Sequence, residues 1–212
     1  MSTTTVHHPW FARCYARMSV KMEPEVVPHR QRLLLGLSGR VIEIGAGNGL
    51  NFAHYPPEVS QVYAVEPEPH LRGLAAEQAA AADTDIEVVD GVADRLPADD
   101  AGFDAAVFSL VLCSVPDQAA ALAEAHRVLR PSGEVRFYEH VIADTAGLRR
   151  VQRVLDATVW PWFVGGCHLL RDTTTAIEQA SFTITTLERL RVPDTGMAMP
   201  ASPHILGTAV RR

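Results

Sequence analysis

The sequence predicts an α/β fold: a mostly parallel seven-stranded sheet with helices on both faces and an antiparallel strand at its end. Two observations predict it. Short apolar runs alternate with helix-forming stretches through the middle of the 212-residue chain, the pattern of strand–helix–strand units with right-handed crossovers. A glycine-rich loop, Gly45-Ala46-Gly47-Asn48-Gly49, follows the first run, and the acid Glu66 ends the second, 21 residues after Gly45. A loop and an acid so placed bind a nucleoside at the carboxyl edge of such a sheet.

Each element has its own signal. Residues 9–36 lack strand alternation and are expected to be helical, broken at Pro24 and Pro28. Trp10, Phe11, Cys14, Tyr15 and Met18 share one face of that helix, which either packs on the domain or lies as a lid over a ligand. The run Val41-Ile42-Glu43-Ile44 marks a strand over 40–45, followed by a helix over 48–54. A strand over 61–66 leads to a helix over 68–82, where Ala75 to Ala82 is strongly helix-forming. Strands follow at 86–89 and 103–109, then a helix over 116–129 with Pro116 in its first turn. Arg130-Pro131-Ser132-Gly133 reads as a turn into a strand over 134–140. A helix over 148–162, a Gly165-Gly166 hinge and a helix over 173–180 come next. Strands at 182–190 and 204–210 succeed each other without a helix, as an antiparallel pair would. Residues 1–212 read as one domain, with 1–36 as an N-terminal helical lid segment and 145–172 as a helical cap insertion.

Composition narrows the function. The net charge of −6 argues against a nucleic-acid partner, whose binding rests on clustered lysine and arginine. No apolar run approaches the ~20 residues of a membrane span, so no transmembrane segment is expected. Cys14, Cys113 and Cys167 are odd in number, widely separated and without zinc-ligand spacing. They are expected to be reduced thiols in a cytoplasmic protein, with no metal.

The loop excludes two ligand classes. A dinucleotide loop places glycine at its first, third and sixth positions, and the sixth position from Gly45 is Leu50. No Gly-Lys-Ser/Thr follows, so it is no phosphate-cradling loop either. Glu43 just before the loop would repel phosphate and suit a cation. S-adenosylmethionine meets those terms, with a ribose, an adenine, an amino group and a sulfonium, and no phosphate. Glu66 would then accept hydrogen bonds from both ribose hydroxyls.

With these stretches, and with Phe103-Asp104-Ala105-Ala106-Val107 and Val128-Leu129-Arg130-Pro131-Ser132-Gly133-Glu134, the chain resembles the class I S-adenosylmethionine-dependent methyltransferases. The likeness runs from about Gly39 to Glu139 and implies their Rossmann-like fold. A closer resemblance, to the methyltransferase-like proteins of animals that methylate alkyl thiols, rests on five stretches. They are Asn51-Phe52-Ala53-His54-Tyr55-Pro56-Pro57, Leu110-Val111-Leu112-Cys113-Ser114-Val115, Glu139-His140-Val141, Gly166-Cys167-His168-Leu169-Leu170-Arg171 and Pro203-His204-Ile205.

The resemblance implies roles. Gly45, Ala46, Gly47 and Gly49 would approach the methionine and ribose of the cofactor, with Glu43 orienting the loop amides or meeting its ammonium. Asn51 would bond the carboxylate side or cap the following helix. Pro67 would lie against adenine. The wider class often places an acid right after the glycine of Gly91-Val92-Ala93-Asp94; here Val92 stands there. Adenine recognition would then rest on backbone groups of Val92 and Ala93, with Asp94 nearby. Carbonyls near Leu110 and Val111 would meet the ammonium, and Cys113 either lines the site or is a small core residue. His140, ending the fifth strand, would take a proton from a thiol or hydroxyl acceptor, or serve as a structural histidine. Tyr15, Trp160 and His168 would face the acceptor, and His168 and Arg171 could equally cap their own segment. The aromatic run Trp160-Pro161-Trp162-Phe163-Val164, preceded by Val151, Val154, Leu155 and Val159, packs on the sheet, walls an apolar acceptor pocket or, disfavoured by the few lysines and arginines beside it, touches a membrane surface.

The expected activity is methyl transfer to a small apolar molecule, a thiol among the candidates, yielding S-adenosylhomocysteine. The accepting atom and oligomeric state are not legible in the sequence. Two other functions fit parts of the pattern: a catalytically silent adenosylmethionine-binding partner protein, and a nicotinamide-dependent oxidoreductase, which Leu50 disfavours.

Overall fold

The computed structural model describes residues 9–158, 160–194 and 199–212. The first eight residues of the expected lid segment, and Val159 of the expected cap, lie outside them. Seven strands form one sheet: β1 (Gly39–Ile44), β2 (Val59–Val65), β3 (Ile86–Val89), β4 (Phe103–Ser109), β5 (Leu129–His140), β6 (Phe182–Arg191) and β7 (Pro203–Arg211). Their order is β3-β2-β1-β4-β5-β7-β6. β1 pairs in parallel with β2 and β4, β2 with β3, and β4 with β5. β7 runs antiparallel to both β5 and β6, so it alone opposes the rest.

Among the described residues, six helices surround this sheet: α1 (Pro9–Leu34), α2 (Pro69–Ala81), α3 (Gln118–Val128), α4 (Ala146–Asp156), α5 (Trp160–Phe163) and α6 (Thr173–Gln179). Both faces are covered because the strands are apolar on both. Along β4, Ala105 and Val107 enter the core shared with Leu33 and Leu34 of α1, while Ala106 and Phe108 enter the core shared with Leu122 of α3 and Ile177 of α6. β5 divides in the same way between Tyr138 and Phe137. Burying each of the valine, leucine, isoleucine and phenylalanine side chains contributes about 1.5–3 kcal/mol. Helix starts follow local chemistry: the Glu68 carboxylate accepts from the Leu71 amide at 2.9 Å with Pro69 at the first turn, and Asp117 accepts from Ala120 at 3.1 Å.

Four expectations are corrected. α1 does not break at Pro24 and Pro28. Its buried face of Val26, His29, Arg30, Leu33 and Leu34, and an ion pair of Arg30 with Glu23 at 3.1 Å spanning Pro24, hold the helix through both prolines. The helix over 48–54 is only a 3-10 turn, Phe52–His54, because the glycines before it have positive φ and cannot join a helix. Residues 130–133 do not precede β5; they are looped out within it, since Phe103 pairs with Leu129 and Ala105 with Glu134, with Ser132 at φ +64°. The helix over 148–162 is two pieces, α4 and α5.

Candidate active site

The parallel strands end together at the carboxyl edge, and the singled-out residues gather there. Gly45, Gly47 and Gly49 have φ of +73°, +59° and +77°. A Cβ on Gly45 would lie 2.7 Å from the Val111 side chain, so the close approach of loop and β4 end requires glycine. Gly47 faces open space apart from Tyr15, whose hydroxyl would stand 3.7 Å from a Cβ there. Helix α1 therefore lies across the glycine loop. Its other anchor is Phe11, whose ring packs on Gly165 and lies 5.8 Å from that of Tyr15. Trp10, Cys14 and Met18, expected on the same inward face, are exposed.

Three buried acids organise the edge. Glu66, 5% exposed, accepts hydrogen bonds from the amides of Gly47 at 2.8 Å and Glu68 at 2.9 Å. Burial raises its pKa against the pull of those amides. Glu43 does not orient loop amides. It accepts from Asn51 Nδ2 at 2.7 Å and from the Tyr55 hydroxyl at 2.7 Å, and burial lifts its pKa to about 7. Asn51 likewise makes no helix cap; its Oδ1 accepts from Arg30 Nη1 at 2.8 Å. Glu139 accepts from the amides of Val111 at 2.8 Å, Leu112 at 2.9 Å and Cys113 at 3.3 Å. It ties the loop after β4 to the end of β5, and burial lifts its pKa to about 7. Leu110 begins that loop at φ +61°, its amide donating to the Tyr138 carbonyl at 2.7 Å.

His140 lies beside this loop and is 7% exposed. Its Nε2 is 2.7 Å from the Cys167 sulfur, and Nδ1 has no hydrogen-bond partner among the described residues. Burial alone would lower its pKa; the Cys167 hydrogen bond and charge, with Glu139 and Asp156, outweigh that and raise it. Cys113 completes a buried group: its sulfur, that of Cys167 and a ring nitrogen of His140 all lie within 4.8 Å of one another. The hydrogen bond with Cys113, then burial, push the Cys167 thiol far up. Trp160 Nε1 donates to Cys167 at 3.4 Å. The His168 amide donates to the Cys113 carbonyl at 2.8 Å, fastening the segment after α5 to the loop after β4.

Asp94 is exposed, and Val92 pairs with Arg95 in a small bridge; Pro67 and Ala93 are half-buried. His168 turns its ring to Asp156, Nδ1 to Oδ2 3.2 Å, and so holds its own segment, whereas Arg171 donates to the Val115 carbonyl at 2.7 Å and ties that segment to the loop after β4. Val151 and Val154, expected against the sheet or a pocket, are exposed; α4 buries Gln152, which bonds Ala143, Val141 and Pro200. Arg30, Glu139 and Cys167 were not assigned roles from the sequence, because each acts through partners distant along the chain. A surface hollow at the opposite edge of the sheet, lined by Ser38, Asp104 and Ser132, collects none of this chemistry.

A family model described as a methyltransferase domain matches residues 42–137. The Homo sapiens protein named Thiol S-methyltransferase TMT1B is 35% identical over 183 residues, 84% of this chain and 74% of its own. The Homo sapiens protein named Thiol S-methyltransferase TMT1A is 32% identical over 224 residues, 95% of this chain and 86% of its own. The chain belongs to the class I S-adenosylmethionine-dependent methyltransferases. This methyltransferase shares its fold with solved members of the class. One is an S-adenosylmethionine-dependent methyltransferase from Mesorhizobium loti, with a TM-score of 0.65 at 22% identity over 88% of this chain and 98% of that one. Geranyl diphosphate methyltransferase gives 0.67 at 12% identity over 97% and 92%. The cofactor is S-adenosylmethionine, and the nicotinamide oxidoreductase reading falls away. No helix among the described residues is long and apolar enough to cross a membrane.

Proposed function

We propose that this methyltransferase methylates the thiol of a small, apolar molecule. The observation that carries the proposal is the meeting of His140 with two buried cysteines at the carboxyl edge, in a chain whose relatives are named thiol S-methyltransferases. Bound S-adenosylmethionine supplies an activated methyl group on a sulfonium. The chain's task is to hold the two reactants in line, exclude water and manage one proton.

The residues present fit the cofactor. Each oxygen of Glu66 accepts one amide and keeps a lone pair, one for each ribose hydroxyl. Gly45, Ala46, Gly47 and Gly49 bring bare backbone to the methionine and ribose. Glu43 and Asn51, charge-balanced by Arg30, lie at the amino-acid end. Pro67, Val92 and Ala93 flank the adenine, with Asp94 at its outer side. The turned backbone of Leu110 and Val111 meets the ammonium, and Cys113 lines the methyl end. Tyr15 and Trp160 wall the acceptor position, with His168 at its rim. His140 takes the thiol proton, since the thiolate is the nucleophile. Residues 1–212 act as one domain with lid 1–36 and cap 145–172. The protein works in the cytoplasm without a nucleic-acid partner, in keeping with its free cysteines and net charge of −6.

A methyl-transfer assay over alkyl thiols, phenols and amines tests the acceptor: thiols should react fastest. His140→Ala should cut turnover by roughly 10²–10⁴-fold, the scale of general-base catalysis, while calorimetric cofactor affinity holds. Because only the neutral imidazole accepts a proton, kcat/KM should climb with pH through a His140 pKa above 6.5. Equal rates on amines, or full turnover without His140, would refute the reading.

A further inference from the structure

We infer that Cys113, His140 and Cys167 form a binding site for one thiophilic metal ion, with an open coordination position that takes the acceptor sulfur. The inference rests on the reading of the acceptor as a thiol. The three residues are far apart in sequence, which is why spacing gave no sign of a metal site. The fold brings them together from the end of β4, the end of β5 and the segment after α5. All three are buried, and one donor atom from each lies within 4.8 Å of the others.

The donor set selects the ion. Two thiolates and an imidazole suit zinc or another soft or borderline divalent cation, whereas magnesium and calcium want oxygen. Cys113 and Cys167 each release a thiol proton to solvent as their metal–sulfur bonds form, and the two thiolates neutralise the divalent charge, so a buried site needs no further counter-ion. Three protein ligands with a fourth position free is the arrangement of catalytic rather than structural zinc. Metal–sulfur and metal–nitrogen lengths of about 2.3 and 2.0 Å set tetrahedral donors roughly 3.5 Å apart. The His140–Cys167 contact of 2.7 Å must therefore open on binding. Cys167 follows Gly165 and Gly166, both at positive φ, in the segment best placed to yield. The indole N–H of Trp160 points at the Cys167 sulfur, and the His168 amide holds the Cys113 carbonyl, so the cap fixes both sulfurs near His140.

The chemistry at the open position is an exchange of bonds. The acceptor thiol binds the cation through sulfur, and its S–H bond breaks as the metal–sulfur bond forms. The proton passes to solvent. With the cation bound, His140 serves as a ligand and the cation keeps the acceptor as thiolate; in the metal-free chain His140 takes that proton. The thioether formed after methylation is a weaker ligand than a thiolate and leaves.

Cobalt(II) is the probe, because its tetrahedral thiolate complexes absorb in the near ultraviolet and visible. The metal-free full chain should bind one equivalent with a thiolate-to-cobalt band. Cys167→Ser and Cys113→Ser should each weaken cobalt binding at least tenfold, and Cys14→Ser, at an exposed thiol, should change nothing. Circular dichroism and thermal unfolding check that the variants fold. Adding an alkyl thiol should shift the band. No band in the wild type, or an undiminished band in folded Cys113→Ser and Cys167→Ser, overturns the site. A band that ignores the added thiol overturns the open position. Thiol methylation with no cobalt band would sink the metal proposal and leave the function standing; a cobalt band without thiol methylation would do the reverse.

Discussion

Glu66 is the residue on which cofactor binding should turn. Its carboxylate is already fixed by two amides, so it offers its remaining lone pairs in a set direction. Glu66→Ala should weaken adenosylmethionine binding by about 1–3 kcal/mol by calorimetry, the scale of lost hydrogen bonds to a charged group. An unchanged dissociation constant would place the ribose elsewhere. The meeting of Glu66 with the glycine loop was legible in the sequence because its signal is local: residue type at a fixed distance from a strand end. Glu139 and Arg30 were not. Glu139 bonds amides 26 to 28 residues away, and Arg30 reaches Ser109 Oγ, 79 residues away. Nothing in the adjoining sequence marks such pairs.

At the scale of elements, α1 meets the segment around Gly165 through Phe11, and on the proposed reading the two close the site. Phe11 sits where a side chain on Gly165 would have to go. Gly165→Ala should therefore push the start of α1 off the cap, and its φ of +59° adds backbone strain. Stability should fall by at least about 1 kcal/mol in urea unfolding. Amide exchange over residues 9–20 should quicken, and thiol turnover should drop as water enters. Unaltered exchange there would show that α1 is not a lid. The helical pattern of α1 was readable, its passage through two prolines was not, because the buried face that holds it depends on the finished sheet. The bulge at 130–133 was misplaced for a similar reason: turn residues announce a turn, and only the β4 pairing shows that the strand resumes around it.

At the scale of the whole molecule, the strand–helix alternation and the late antiparallel strand were legible because apolar runs, lengths and order constrain topology strongly. The convergence of three cysteine and histidine donors was invisible because it belongs to the edge as a whole. Glu139, at the centre of that edge, couples it to global stability. Its folded pKa of about 7 exceeds the ordinary 4.5, so the folded state holds this proton more tightly. The contribution is full below about pH 4.5 and is lost as pH rises through about 7. Wild-type stability minus that of Glu139→Gln should fall by about 3 kcal/mol over that window and level off above it. A difference that is flat or rises with pH would contradict the assignment. The most direct test of the account is a crystal structure with S-adenosylhomocysteine. It should show both ribose hydroxyls on the Glu66 carboxylate and the sulfur facing Cys113 and His140. Ligand bound away from the glycine loop, or a sulfur turned from His140, would contradict it.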